Sequence, residues 1–183
     1  LSRGHPLVVE LINRGSVGGT FHETLETFVE KEIFSRLSGA EKRVLGAISV
    51  FREPMPLQAI SGVDAETDLL DDLVEKGLAR QADSDNYDVH DLVREFLTRS
   101  MEDSLRQILH ANAVEWYRTR RETPSQSIEY IHHLHMSGDT EGLAAALSEE
   151  GHALVNSGHI ELLGILRSLD VSNFSQRTSF VIN

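Results

Sequence analysis

His90 and Asp91 stand side by side where an extended segment, residues 87–89, meets a helix whose apolar face begins at Leu92. Asp91 fits the N-cap position, because its carboxylate can accept hydrogen bonds from the first free amides of a helix. His90 is then held beside backbone donors at a helix N-terminus, an environment that favours phosphate binding. The pattern predicts a phosphate contact at His90; the alternative is a polar residue that ends an edge strand.

A second group of histidines, His132, His133 and His135, has the residue type of a metal site but not its spacing. Positions i, i+1 and i+3 of a helix do not converge, and only His132 and His135 share a face. Because no cysteine or carboxylate pair stands at ligand spacing nearby, we predict no metal ion here and expect a solvated helix surface. Three further histidines are isolated in the sequence and receive no role: His110, His152 and His159.

Catalytic patterns are absent from the sequence. The connector from Arg14 to Gly19 is rich in glycine, but no Gly-Lys-Ser/Thr follows it, so the lysine and the magnesium-binding hydroxyl of a phosphate loop are missing. No nucleophile stands in a glycine-rich elbow. We therefore predict no catalytic residue and no self-contained active site.

The composition limits the classes of protein to which the chain can belong. A net charge of −12 disfavours nucleic acid as a partner, since phosphate binding depends on Lys and Arg. No cysteine is present, which excludes disulfides and fits a reducing compartment. No apolar run approaches the ~20 residues of a membrane span, and no signal peptide is evident. We expect a cytoplasmic protein and, because the chain starts without Met inside an apparent motif, a piece of something longer.

The elements that position His90 are predicted from helix caps and breakers. Ser38 to Glu41 forms a capping box at the start of a helix, and Pro54 and Pro56 interrupt the chain. A short helix over residues 57–61 is then ended by Gly62, and the next helix ends at Gly77. Two short strands around residues 83–86 then precede the helix that follows His90. The order helix, helix, helix, hairpin, helix is that of a winged-helix domain.

The remainder of the chain reads as helices. From Ser104 onward, Gly138, Gly151 and Gly158 divide it into units of roughly 12 to 20 residues, and pairs of such antiparallel helices make tetratricopeptide-like (TPR-like) repeats. One apolar face is predicted to contain these side chains: Leu105, Ile108, Leu109, Ala113, Trp116 and Tyr117. The fold class is therefore mainly α, with a winged-helix domain that contains a small β-hairpin, followed by antiparallel helical repeats.

The segment Val89-His90-Asp91 resembles the MHD motif of the STAND NTPases, signal-transduction ATPases that include plant disease-resistance and apoptosome proteins with NB-ARC domains. Val89 replaces the usual methionine with another apolar residue. Gly4-His5-Pro6 resembles the GxP segment of the same family, and residues 132–169 resemble the helical arm of regulators of the maltose-regulon-activator class. The resemblance implies that Pro6 packs near adenine and that His90 contacts the phosphates of ADP in the off state.

The resemblance also implies a domain organisation: 1–37 as the end of an ATPase lid, 38–102 as the winged helix and 103–183 as a TPR-like domain that is cut short. No cofactor is expected in the chain itself, whereas ADP or ATP with Mg would bind the full-length protein, whose Walker segments would lie upstream. The expected function is a regulatory part of an ATPase switch. Its partners would be its own upstream ATPase domain and a protein or small-ligand effector, with no membrane.

Two alternatives stay open. The first is a DNA-binding winged-helix transcription regulator; against it, the third helix carries Glu66, Asp68, Asp71, Asp72 and Glu75 and only Lys76 as a basic residue. Nucleic acid is therefore not expected as a partner of this module. The second alternative is a helical scaffold without nucleotide control, which differs from the switch only through the Gly4–Pro6 segment and His90.

Overall fold

The structure, a computed structural model, describes residues 34–60 and 67–168. Predictions for Pro6, for the helices before residue 34 and for Glu66 lie outside the described residues. The chain divides into two compact units between Met101 and Glu102.

The described part of the first unit contains three α-helices and three short strands. After a 3-10 turn at Phe34–Arg36, its elements are α1 (Gly39–Ser49), β1 (Met55–Pro56), a 3-10 turn (Leu57–Ile60), α2 (Thr67–Glu75), β2 (Ala79–Gln81), β3 (Asn86–Val89) and α3 (Asp91–Ser100). The strands form a small antiparallel sheet with strand order β1-β3-β2. Met55 of β1 pairs with Tyr87 of β3, and Ala79 of β2 pairs with Val89 of β3.

Helix α1 begins as the sequence predicts. The Ser38 Oγ accepts from the Glu41 amide at 3.2 Å, and the Glu41 carboxylate accepts from the Ser38 amide at 2.7 Å, so two helix-end donors are satisfied reciprocally. The predicted inner face is buried and forms the centre of this unit's core: Val44, Leu45, Ile48 and Phe51.

Two details of this unit differ from the prediction. The second helix is a single 3-10 turn, and an additional two-residue strand, β1, precedes it. Pro56 lies in β1 opposite Asn86. Because β1 is at the sheet edge and proline lacks an amide proton, proline is tolerated there and keeps the strand short. Helix α2 ends at Glu75, and Gly77 follows with a φ of 68°, the left-handed conformation expected just after a helix C-terminus.

The described part of the second unit is entirely helical. Its elements are α4 (Asp103–Arg118), α5 (Pro124–Ser137), α6 (Thr140–Ala146), a π-helical turn (Leu147–Gly151), α7 (His152–Asn156) and α8 (Glu161–Ser168). A short loop joins α4 to α5, which makes them antiparallel neighbours. Thr123 and Gln126 form a capping box at the start of α5, with Pro124 in its first turn.

The inner face of α4 differs in position from the predicted one. Leu109, Ala113 and Tyr117 are buried, but the predictions for Leu105 and Ile108 are wrong, because these side chains are 43% and 58% exposed. His110 and Val114 are buried as well, so the inward-facing side chains follow one another at three- and four-residue spacing along one side of the helix. The core of the unit is aliphatic and consists of Val114, Ile128, Ile131, Leu134, Leu143, Ala146, Leu147, Leu154, Leu162 and Ile165.

Glycine marks two helix ends in this unit, not three. Gly138 and Gly158 have φ of 81° and 86° and follow α5 and α7. The prediction that Gly151 ends a helix is wrong: Gly151 is buried in the π-helical turn, which continues from α6 into α7. Within the described residues every helix is too short or too polar to cross a membrane. The fold class predicted from sequence, mainly α with a small sheet followed by helical repeats, is confirmed.

Candidate functional site

His90 lies at the junction between β3 and α3. Its backbone amide donates to the Leu78 carbonyl at 3.3 Å, and its carbonyl accepts from the Arg94 amide at 2.9 Å, the first hydrogen bond of α3. His90 therefore occupies the N-cap position itself. The assignment of Asp91 as N-cap is wrong by one residue: Asp91 is the first residue of the helix, exposed, with its charge in the turn where a carboxylate is favourable.

A buried carboxylate next to the junction fixes β3 to two arginines. Asp88 is 5% exposed, and its Oδ2 accepts from the Arg80 Nε at 3.0 Å. Its Oδ1 accepts from the Arg94 guanidinium and, at 2.9 Å, from the Val89 amide. Asp88 in turn raises the pKa of Arg80. Two residues before His90, the chain is thus held by charge-assisted hydrogen bonds, which give the junction a defined backbone.

Arg94 also reaches the end of α1. Its Nη1 donates to the Ser49 carbonyl at 2.7 Å and to the Phe51 carbonyl. A guanidinium at a helix C-terminus satisfies free carbonyls and complements the helix dipole. The first turn of α3, the sheet and the end of α1 are consequently joined through one side chain.

The exposed face of α2 is acidic. Asp68, Asp71, Asp72 and Glu75 are all exposed, and the adjacent basic residue, Lys76, forms an ion pair with Glu41 of α1. This pairing, opposed in part by burial, lowers the pKa of Glu41 to about 2.

The turn between β2 and β3 is acidic as well and has an ordered backbone. The Asp83 Oδ1 accepts from the amides of Asp85 and Asn86, each at 3.0 Å. These hydrogen bonds, and above all the one from the Asn86 side chain, lower the pKa of Asp83. A turn of this kind is stabilised by its own aspartate. Neither α2 nor this turn therefore presents a basic surface.

The arginines of the basic run at residues 118–121 make contacts within the second unit. The Arg120 guanidinium lies 3.7 Å from the centre of the Trp116 ring. Arg121 forms an ion pair with Glu150 and lies 4.7 Å from the centre of the Tyr130 ring. These contacts connect the loop after α4 to neighbouring helices.

Three histidines of the second unit come together between α4 and α5. One nitrogen of each of His110, His132 and His133 lies within 4.8 Å of the others. His110 and His133 are buried, and their Nδ1 atoms are 2.8 Å apart. The expectation of a solvated surface is wrong for His133, and His110 is not isolated. His135, which was grouped with them, contacts Ser168 instead.

The surroundings of His110 favour its neutral imidazole. Burial, and next the positive charge of Arg106, lower the pKa of His110 to about 4. The Tyr117 ring is stacked on the His133 ring at a centroid distance of 5.5 Å. The Nε2 of His133 lies 3.9 Å from the Glu129 Oε2, and Glu129 is itself buried.

The spacing of histidines along one helix does not reveal the three-histidine arrangement, because its members lie on two helices. Side chains at i and i+1 diverge by about 100° on a helix, but a residue on the facing helix can lie between them. The available signal was the short α4–α5 connection, which brings His110 opposite residues 132–133 if the two helices pair antiparallel. The phosphate-contact prediction for His90 remains a prediction.

No protein-family model matches this chain, and no curated protein matches it. Its fold is similar to that in the crystal structure of a Signal Transduction ATPase with Numerous Domains (STAND) protein with a tetratricopeptide repeat sensor from Pyrococcus horikoshii. The similarity covers 91% of this chain, with a TM-score of 0.66 and 24% sequence identity. The chain spans 26% of the length of that protein. The comparison therefore establishes the fold as one that occurs within a larger STAND protein.

Proposed function

We propose that this chain is a regulatory portion of a STAND-type ATPase switch. The first unit acts as a winged-helix domain that senses the nucleotide bound by an ATPase domain elsewhere in the natural protein. The helical-repeat unit acts as the arm that binds a protein or small-ligand effector. The observation that carries this proposal is the similarity of fold to the STAND protein over 91% of the chain.

His90 is the proposed nucleotide contact. It stands at the N-cap of α3, where backbone amides and the helix dipole favour an anion. The ion pairs of Asp88 with Arg80 and Arg94 hold the preceding strand, so the position of His90 is defined before any ligand arrives. In the off state His90 would donate to a phosphate of ADP, and Pro6 would pack near adenine.

Exchange of ADP for ATP, with Mg, would remove the contact and release the arm. This is a two-state equilibrium in which only the closed state contains the His90–phosphate bond. Such a switch would operate in the cytoplasm, where ATP is available. The chain itself is proposed to hold no catalytic residue, because the phosphate loop would belong to the ATPase domain.

The competing function is DNA binding by the first unit. The helix that would enter the major groove, α2, exposes Asp68, Asp71, Asp72 and Glu75, and Lys76 is paired with Glu41. Carboxylates on this face would be repelled by phosphates. We expect a fluorescently labelled duplex to show only weak, sequence-independent anisotropy changes at physiological salt; a sub-micromolar, sequence-dependent complex would favour the DNA-binding function instead.

The test of the switch is the rate of ADP release from the full-length protein with His90→Ala. A charge-assisted hydrogen bond of roughly 1.5–3 kcal/mol is lost from the closed state only, so release should accelerate about ten- to a hundredfold. His90→Ser is the matched variant, because serine is a good N-cap but too short to replace the imidazole. Equal acceleration in both variants supports the proposal. Unchanged ADP release with a lowered melting temperature would contradict it.

A further inference from the structure

The side chains of His110, His132 and His133 come from two antiparallel helices and meet inside the helical unit. His110 lies on α4, and the other two lie on α5. His110 is 4% exposed and His133 is fully buried, whereas His132 is half-buried. A small ion could therefore reach the group from the His132 side while two of the three rings stay in place in the core.

The three imidazole rings lie close together. The His110 and His133 ring centroids are 5.0 Å apart. The His132 ring is edge-on to both, at 5.7 Å from His110 with an interplanar angle of 77° and at 5.3 Å from His133 with an angle of 67°. A hydrogen bond joins the Nδ1 atoms of His110 and His133. The third residue, His132, has a ring nitrogen within 4.8 Å of a nitrogen of each of the other two.

The nitrogen separations fit a metal ion after small side-chain rotations. Zn²⁺ binds imidazole nitrogen at ~2.0–2.1 Å, so two ligands of a tetrahedral site lie roughly 3.4 Å apart. The closest pair here, His110 and His133, is 2.8 Å apart, and each of the three histidines has a nitrogen within 4.8 Å of the others. The separation of roughly 3.4 Å between ligand nitrogens that a tetrahedral zinc site requires lies between these two distances.

A buried carboxylate lies next to the three histidines. Glu129 stands behind His133, on its Nε2 side, at 3.9 Å. A carboxylate in this place orients a ligating imidazole and raises its basicity when the other ring nitrogen binds metal.

We propose that His110, His132 and His133 form a site for one Zn²⁺ ion, with three imidazole ligands and a fourth position open to water at the half-buried edge. Imidazole nitrogen is a preferred ligand of zinc, and three histidines with one open position is an established zinc arrangement. The ion would join α4 to α5 and would stabilise the helical unit by its binding free energy.

The experiment is zinc titration of the untagged 183-residue chain by calorimetry, with Co²⁺ as a coloured substitute. We expect one Zn²⁺ per chain, a higher melting temperature with zinc and the intense visible absorption of four-coordinate Co²⁺. Half-buried His132→Ala should fold and should weaken zinc binding by more than the roughly 10–100-fold that loss of a ligand's hydrogen-bond partner costs. His135→Ala, three residues further along α5 and outside the group, is the control and should bind zinc normally.

Two results would overturn the proposal. One is the absence of saturable, one-to-one zinc binding in the unaltered chain. The other is zinc binding that His132→Ala leaves unchanged, which would assign the ion to other surface histidines. A folded His132→Ala chain, verified by circular dichroism, keeps the second result interpretable.

Discussion

Arg94 and Asp88 form a largely buried ion pair six residues apart, across the turn from β3 into α3. The Asp88 side chain is 7% exposed and that of Arg94 is 22% exposed. The same guanidinium donates to the Ser49 and Phe51 carbonyls at the end of α1. The pair thereby joins the three elements that surround His90, and the removal of either partner leaves buried polar groups unsatisfied.

Asp88→Asn should destabilise the first unit. The substitution leaves Arg94 without its anionic partner in a mostly buried position, which costs on the order of 3 kcal/mol. Urea unfolding monitored by amide exchange of Leu45 and Ile48 in α1 would measure the loss. Asp85→Asn is the matched control: this exposed turn residue should change the free energy of unfolding by less than ~0.5 kcal/mol. Equal stability of both variants would show that the pair contributes nothing net.

The burial of Asp88 is a feature that could not be predicted from the sequence. The helix boundaries at Ser38, Gly77 and Gly138 were predictable, because caps and breakers act within a few residues. A polar residue between Tyr87 and Val89 fits an alternating strand with its polar face in water. In the structure all three residues are buried, because arginines from β2 and α3 neutralise the carboxylate. Partner choice of this kind depends on tertiary packing.

The prediction for the histidines of the helical unit was wrong for the same reason. His110 and His133 are separated by 23 residues, and only the pairing of α4 with α5 brings them together. The position of His90, in contrast, could be predicted from the order of a strand and a helix along the chain. His90 is the N-cap residue of α3, one residue before the N-cap that the sequence pattern predicts. Local junctions were therefore more predictable than sites built across helices.

The ion pair between Glu41 and Lys76 should make the first unit sensitive to acid. The folded-state pKa of Glu41 is about 2, below its ordinary value of 4.5, so its stabilising contribution is present above pH 4.5 and is lost as the pH falls toward 2. Because the Lys76 side chain is 47% exposed, we expect only about 1–2 kcal/mol. Glu41→Gln retains the capping box with Ser38 but should flatten this pH dependence, measured by urea unfolding at pH 5 and pH 2.5.

His110 should make the helical unit sensitive to acid in a higher pH range. Its folded-state pKa of about 4 is below 6.5, so the unfolded chain binds the proton more tightly and the free energy of unfolding falls between about pH 6.5 and pH 4. The full loss is about 3 kcal/mol. The groups that face His110 are Arg106, His132 and His133.

The fluorescence of Trp116, the single tryptophan of the chain, reports on this unit in urea melts at pH 7 and pH 4.5. His110→Asn keeps a polar group near Nδ1 but does not titrate, so its stability should vary less between the two pH values. An unchanged pH dependence in His110→Asn would assign the acid sensitivity to other groups.

Gly142 lies in the first turn of α6 at a close approach. A Cβ added there would lie 2.5 Å from the Asp139 Oδ2 and 2.8 Å from the Leu134 Cδ2. Asp139 is the N-cap of α6 and accepts from the Gly142 amide at 2.8 Å, and Leu134 is buried in the core. Gly164 is also helical, in α8, but a Cβ there would meet no atom within 4 Å.

Gly142→Ala and Gly164→Ala should therefore change stability in opposite directions. Alanine is the better helix former by about 1 kcal/mol, and at Gly164 this gain is realised in full. At Gly142 the methyl group must displace the capping carboxylate or the packed leucine, losses of ~1 and ~1–3 kcal/mol that exceed the gain. Urea midpoints from Trp116 fluorescence should rise for Gly164→Ala and fall for Gly142→Ala. A higher urea midpoint for both variants would mean that the capping Asp139 side chain can move aside without loss of stability.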